Sequence, residues 1–558
     1  MKYAVVFFSI LLLAGCKKQT FDVVIRGGTV YDGSGNPSQR ADVGINADTI
    51  AFVGDLKNAV GKKEIDATGL AVSPGFVNMM SHAEETLIID SRSQSDIRQG
   101  ITLEVLGEGS MGPLNDRMKK EREDWMKRVP DWAYPIDWTS LGEYLESIQK
   151  KGISPNVASF VGANTIRVHE LGYENRAPKP DELERMKALV KQAMEEGAMG
   201  VTTALIYAPD NYSTTEELIE LSKVAAPYGG MYISHMRSEG NNILAAVDET
   251  IRTAREAGVP AEIYHLKMAG HDNWHKLDSV KDKIEKANRS GLHISADMYT
   301  YPAGATGLDA SMPPWVQEGG IGEWIKRLKN PAIRKKVLAE MRTSTNKWEN
   351  MLRTVGSPDN VLFLGFATDS LKKYIGKRLS EVSQMHHQSP EETVIDLVIH
   401  DGTRVETAYF MMSEDNIKKQ IQLPYVSFGS DAGAPSAEGM FLKYKDHPRA
   451  FGNFARLLGK YVREEKVISL EEAVRKLTSL PINNLKIQKR GLLSPGYFAD
   501  VVVFDPEKIA DHATFENPHQ YSTGVVNVLV NGEAVIKDGE HTGAKPGKIV
   551  RGPGWKKK

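Results

Sequence analysis

Residues 230–270 read GMYISHMRSEGNNILAAVDETIRTAREAGVPAEIYHLKMAG, and their pattern decides the fold. A short apolar run ends in His235, the chain turns through polar residues, and 242–257 then carries apolar residues at helical spacing. Gly258 and Pro260 stop that helix, and a second short run, AEIYH, again ends in histidine, at His265. Strand, helix and strand in this order make a unit whose two strands lie parallel. The alternation extends in both directions. Strand-like runs fall at 71–82, 101–108, 157–163, 200–207, 230–235, 262–265, 293–299 and 426–431, with amphipathic stretches at 181–196, 214–226, 242–257 and 277–289. Eight such strands predict an α/β fold, a distorted (β/α)8 barrel of the TIM type spanning 74–484. Residues 306–420 interrupt the rhythm with a mostly helical, charged stretch, expected to be an insertion near the barrel mouth.

The two ends of the chain repeat one another. VVIRGGTVYDG at 23–33 and VLVNGEAVIKDG at 528–539 both run apolar strand, glycine turn, apolar strand. Residues 20–73 and 485–553 are therefore expected to join in one small β-sandwich, followed by a short basic tail at 554–558. That tail is too short to assign a partner. The charged helix EREDWMKR at 121–128 reads as a solvated face.

At 558 residues the chain exceeds one ordinary domain. Its 70 Lys+Arg balance 72 Asp+Glu, so no electrostatic argument points to nucleic acid. The first 16 residues stand apart. Met1-Lys2 precedes an apolar run at 4–13, which is shorter than the roughly 20 residues a membrane span needs and fits a signal-peptide core. Leu13-Ala14-Gly15-Cys16 resembles a bacterial lipobox, and Cys16 is the sole cysteine, so no disulfide forms within the chain. The expectation is an exported lipoprotein held to the membrane through a lipid on Cys16.

In a barrel, chemistry collects where strands end at their C-terminal face. Five of the runs end in metal-competent or acidic residues: His82, Glu108, His235, His265 and Asp431. Imidazole and carboxylate are the ligands that catalytic zinc takes, three from protein with one position left for water. A metal site is the expectation. Asp297 closes no motif and reads as structural, and His271, Trp274 and His275 read as ordinary loop residues.

Several longer pieces carry a resemblance: SDIRQGITLEVLGEG (95–109), TTALIYAPDNYSTTEEL (202–218), SHMRSEG (234–240), HLKMAG (265–270), ADMYTYPAGATGL (296–308), SDAGAPS (430–436) and HPRAFGNFARLLGKYVRE (447–464). In this order they resemble the D-aminoacylase, or N-acyl-D-amino-acid deacylase, branch of the amidohydrolase superfamily, over nearly all of the chain after the leader. The resemblance implies a barrel flanked by a β-sandwich, one essential zinc, and hydrolysis of the amide bond of N-acyl-D-amino acids. His235 and His265 match the two histidines that hold this metal. Where the family often has a cysteine ligand, the sequence is Gly107-Glu108-Gly109, which leaves Glu108 as the donor. A carboxylate there is a harder ligand than a thiolate and lets other divalent metals compete. The superfamily's His-x-His pair reads Met80-Ser81-His82, and a thioether is a poor ligand for a hard ion, which favours a single metal. His82 is left as a weak ligand, a substrate contact or a packed side chain.

The resemblance also assigns Asp431 the proton transfers, taking one from water and returning it to the leaving nitrogen. It places Arg449 and Lys267 as cations for a substrate α-carboxylate, with Tyr207 and Tyr299 as hydroxyl donors. A family serine appears as Ala305. Two rival readings remain at this level: a cyclic amidase of the dihydroorotase or hydantoinase kind, and an inactive ligand-binding lipoprotein.

Overall fold

The computed structural model describes residues 18–343, 345 and 347–557; Cys16 and its leader lie outside them. Eight parallel barrel strands follow the sequence pattern: Phe76–Ser81, Ile101–Leu106, Asn156–Ser159 continued by Val161–Gly162, Gly200–Ala204, Met231–His235, Ala261–Ile263, Ile294–Met298 and Val426–Phe428. They are short and almost wholly buried, as expected of strands covered on both faces. The barrel is distorted because its ladder breaks at Phe160, which leaves three strands in one ladder and six segments in the other. A parallel bridge from Ser81 to Ala432 brings the last strand back to the first.

The run at 71–82 is two strands, not one. Ala71–Pro74 pairs antiparallel with Val501–Phe504 in the terminal sheet, whereas Phe76–Ser81 enters the barrel. The crossing occurs at Gly75, where a Cβ would stand 2.0 Å from the Thr102 hydroxyl, so only glycine fits between the layers.

Both chain ends do share one domain. Nine strands form a single mixed sheet that joins Thr20–Val30 and its neighbours to Val501–Phe504, Val525–Val530 and Glu533–Lys537. A bridge from Thr49 to Phe498 turns the sheet back on itself, and Val43, Ile45, Val72, Val501, Val503 and Leu529 fill the common core. The stretch after the last strand departs from the expected boundary. Residues 547–556 leave the sheet and run beneath the barrel: Val550 N–H donates to Val157 O (2.8 Å), Gly552 N–H to Gly197 O (2.8 Å), and the Lys556 ammonium pairs with Glu195 at 2.7 Å.

The insertion is only partly helical. Between the barrel strands Ile294–Met298 and Val426–Phe428, helices such as Ile321–Lys329, Pro331–Arg342 and Pro390–Asp401 pack with a three-stranded antiparallel sheet. Its strands, Ala303–Gly307, Glu406–Phe410 and Val361–Gly365, are short runs that a helical reading of this charged stretch passes over. Trp324, Leu328, Val337, Phe363, Leu397 and Tyr409 give the insertion a core of its own, set beside the barrel mouth.

Candidate metal centre

Three strand ends deliver side chains to one point. Glu108 Oε1 lies 2.7 Å from His235 Nδ1 and 3.0 Å from His265 Nε2, and those two nitrogens are themselves 3.0 Å apart. His235 closes its strand with ordinary backbone, but Glu108, His265 and Asp431 all sit at positive φ, 63°, 34° and 50°. Left-handed backbone is unfavourable for residues with a Cβ, costs on the order of 1–3 kcal/mol each, and collects at functional sites. Here each strained residue is tied by its N–H to another barrel strand. Glu108 donates to the Thr202 hydroxyl (3.1 Å), His265 to Asp297 Oδ1 (2.9 Å) and Asp431 to Met80 O (3.0 Å). Asp297 thus has a structural part to play, although its other oxygen is buried without a hydrogen-bond partner.

Behind the triad stands a carboxylate that the sequence reading passed over. Glu239 Oε1 lies 2.9 Å from His265 Nδ1 and 2.5 Å from the Lys267 ammonium. A carboxylate on Nδ1 fixes the ring so that Nε2 points toward Glu108 and His235. Burial pushes the Glu108 carboxyl up, but His235, His265 and His82 outweigh it and hold it well below its usual range. Two imidazole nitrogens and an ionised carboxylate oxygen, all directed at one spot, are a donor set that fits a divalent cation such as zinc.

A second group lies beside the first. His82 Nε2 is 3.2 Å from Asp431 Oδ1 and 3.9 Å from Glu108 Oε2, so Glu108 belongs to both groups. Met80 contributes nothing to either; it is fully buried and packs with Ile233 and Tyr264 in the barrel core. Burial pushes Asp431 up as well, but Arg449, then His265 and His82, hold it far below the normal carboxylate range, so it is ionised at neutral pH.

The expected substrate contacts divide. Arg449 Nη1 pairs with Asp431 Oδ2 at 2.6 Å, while its buried Nε makes no hydrogen bond. The guanidinium stacks 4.5 Å over the Tyr299 ring. Both residues line the cavity over the triad. Lys267, by contrast, is engaged: Glu239 neutralises it, and His265 Nδ1 lies 2.7 Å away. Tyr207 stands on the opposite flank with its ring 5.1 Å from that of His235. His447, also unforeseen in this part, fixes Arg449 from behind, since its Nδ1 accepts the Arg449 N–H (3.0 Å) while Nε2 donates to Ala303 O (2.9 Å). Burial and the Arg449 charge hold His447 well below the usual imidazole range, so it stays neutral. The only signal for Glu239 and His447 in the sequence is their place inside SHMRSEG and HPRAFG. Ala305 lies on the insertion strand that lines the cavity, while His271 is on the exposed surface.

A cavity of about 840 Å³ opens above the cluster, bounded by barrel loops on one side and by insertion residues such as Thr306, Phe366, Arg404 and Met411 on the other. The sequence profile of the amidohydrolase family matches residues 63–536. A D-aminoacylase of Alcaligenes xylosoxydans xylosoxydans is 32% identical over 534 residues, 95% of this chain and 98% of that one. This chain belongs to the D-aminoacylase branch of the amidohydrolase family. Other members of the branch agree. An N-acyl-D-glutamate deacylase of the same organism is 29% identical over 96% of this chain and 97% of its own. Among solved structures, a D-aminoacylase described for the role of its binuclear metal centre superposes with a TM-score of 0.80 at 30% identity, over 95% of this chain and all of that one. The N-acyl-D-glutamate deacylase of Bordetella bronchiseptica, in complex with zinc and a phosphonate inhibitor, gives 0.78 at 27% identity over 96% and 100%.

Proposed function

We propose that this amidohydrolase cleaves the amide bond of N-acyl-D-amino acids, using one divalent cation, zinc, held by Glu108, His235 and His265. The observation that carries the reading is the pairing of a convergent N, N, O donor set with Arg449 and Tyr299 in the wall of the same cavity. Zinc in such a site supplies Lewis-acid polarisation of a carbonyl and makes water acidic enough to attack near neutral pH. The remaining tasks fall to the chain. Arg449 and the Tyr299 hydroxyl, in the wall of the cavity, bind the α-carboxylate. Asp431, ionised and at the rim of the cluster, takes the proton from the attacking water and returns it to the leaving nitrogen, so no amine anion has to depart. Glu239 fixes the His265 ring, with Lys267 balancing its charge, and His82 orients Asp431 through their 3.2 Å contact. The preference for D substrates rests on the deacylase relatives.

The test is release of free amino acid from paired N-acyl-D and N-acyl-L series by zinc-reconstituted protein, with chelation abolishing it. Release from neither series with zinc bound would sink the proposal. The sequence of the leader supports a further reading, that the enzyme is exported and anchored through a lipid on Cys16. On that reading Cys16→Ser moves the protein out of the membrane fraction; an unchanged distribution counts against it.

A further inference from the structure

A second cavity of about 820 Å³ adjoins the first, within the range of sites that take a whole small ligand. The side chains of Glu85, Met111, Trp125, Tyr207 and Arg404, among others, line both, so the two cavities adjoin across this neck. The wall beyond the neck comes from the helix Asp116–Arg128, which presents Met118, Arg122 and Trp125, one stripe at helical spacing. This is the helix whose charges read as a solvated face. Its Lys127 is indeed exposed, but Met118, Arg122 and Trp125 border the cavity, together with the charged Glu121, Asp124 and Arg128.

The charges around this chamber are already satisfied. Arg122 forms a close ion pair with Glu85 and stacks 4.0 Å over the Trp125 ring. Glu121 accepts from the Tyr173 hydroxyl (3.0 Å) and lies 3.7 Å from Arg117. Arg404 pairs with Asp309 at 2.8 Å, Asp124 with Lys127 at 2.7 Å, and Arg128 donates to Gly402 O. What remains to meet a ligand is apolar and aromatic surface: Met111, Leu114, Met118, Trp125, Ile136 and Trp324. A concave apolar space of this size favours a ligand that removes hydrocarbon from water.

Its position says which part of the substrate enters. An N-acyl amino acid is a linear sequence of carboxylate, α-carbon, nitrogen, carbonyl carbon and acyl chain. With the carboxylate at Arg449 and Tyr299 and the scissile carbonyl at Glu108, His235 and His265, the chain continues past Tyr207, and Tyr207 is part of the neck. We infer that the chamber is an acyl subsite and that the preferred substrates carry an extended apolar acyl group, a medium-length fatty-acyl chain, in place of acetyl. This rests on the deacylase reading above.

The test compares kcat/KM for the N-acetyl and N-decanoyl derivatives of the same D-amino acid, using the zinc-reconstituted full chain. The decanoyl substrate is expected to be favoured at least tenfold. Met118→Glu, on the far wall, is expected to lower the decanoyl-to-acetyl ratio at least tenfold, and Met118→Leu to keep it. Turnover of the acetyl substrate with no decanoyl preference, or a Met118→Glu ratio equal to wild type in a folded protein, overturns the acyl subsite and leaves the deacylase reading standing. Release from neither substrate overturns both.

Discussion

Two arginine–carboxylate pairs are buried near the barrel, and they are built differently. Arg167 and Glu217, on the helices Ala163–Leu171 and Thr215–Ala225, have side chains 0% and 2% exposed. Arg167 Nη1 donates to both Glu217 oxygens at 2.8 Å, Nη2 donates to the carbonyls of Glu174 and Arg176, and the Ser213 hydroxyl donates to Glu217. Arg449 and Asp431 are nearly as buried, at 4% and 11%, but they touch at one point, through Arg449 Nη1. The first pair locks two helices through several bonds, although Arg167 Nε is itself buried without a partner. The second is a single contact at the wall of a cavity. A charged pair joined by one contact beside a cavity leaves room for a ligand to add to it, which a pair enclosed between two helices does not.

The comparison breaks most sharply at Asp431. Asp431→Asn should lower kcat by about 10²–10⁴, the range for a positioned acid–base group, with zinc content and melting temperature retained. Retained turnover would remove Asp431 from proton transfer. Next in size, Glu217→Ala leaves Arg167 buried without its partner and should cost about 3–5 kcal/mol of stability in denaturant titration, while turnover per folded molecule stays near wild type. A loss of activity without loss of stability would reverse the roles of the two pairs. Arg449→Lys keeps the charge but loses the planar fork; KM is expected to rise roughly tenfold or more at little cost in stability.

The smallest effect lies in pH. Asp210, next to the Arg167–Glu217 pair, accepts from Ala204 N–H (2.6 Å), and burial, aided by the Glu217 charge, pushes its carboxyl up to about 7. Below about pH 4 it is protonated in both folded and unfolded chains; between there and about 7 the folded chain alone keeps the proton. Stability from this group therefore falls as pH rises through that window and stays low above it. Asp210→Asn should relieve this, with a gain in melting temperature that grows from pH 4 to 7 and then levels. A gain independent of pH would assign the effect to something other than the carboxyl.

Much of the site was legible because barrel strands announce their own ends. A run of apolar residues that stops at His82, Glu108, His235, His265 or Asp431 places that residue at the mouth, whatever the neighbours do. Glu239 and His447 were not legible this way. They lie in loops beyond strand ends, and their value depends on which side chains those loops bring near: His265 and Lys267 for one, Arg449 and Ala303 for the other. Lys267 illustrates the converse. Its residue type and position suggested a free cation, but a partner 28 residues away in the chain had already taken it. The insertion sheet was hidden for a similar reason, since its three strands are separated by helical stretches and pair only across long loops.

Periodicity along the chain decided the class of fold, the order of its strands and the residues presented at the barrel mouth, because burial on both faces makes each strand a short apolar run whose first polar residue marks its end. Distances decided the rest: that Glu108 serves two neighbouring groups of donors, that Arg449 meets its carboxylate at one point beside the cavity while Lys267 and Arg167 are held by Glu239 and Glu217, and that the helix Asp116–Arg128 turns one side toward a second chamber. Whether a charged side chain is spent or available is a property of everything folded around it, and no local pattern records which partner reaches it first.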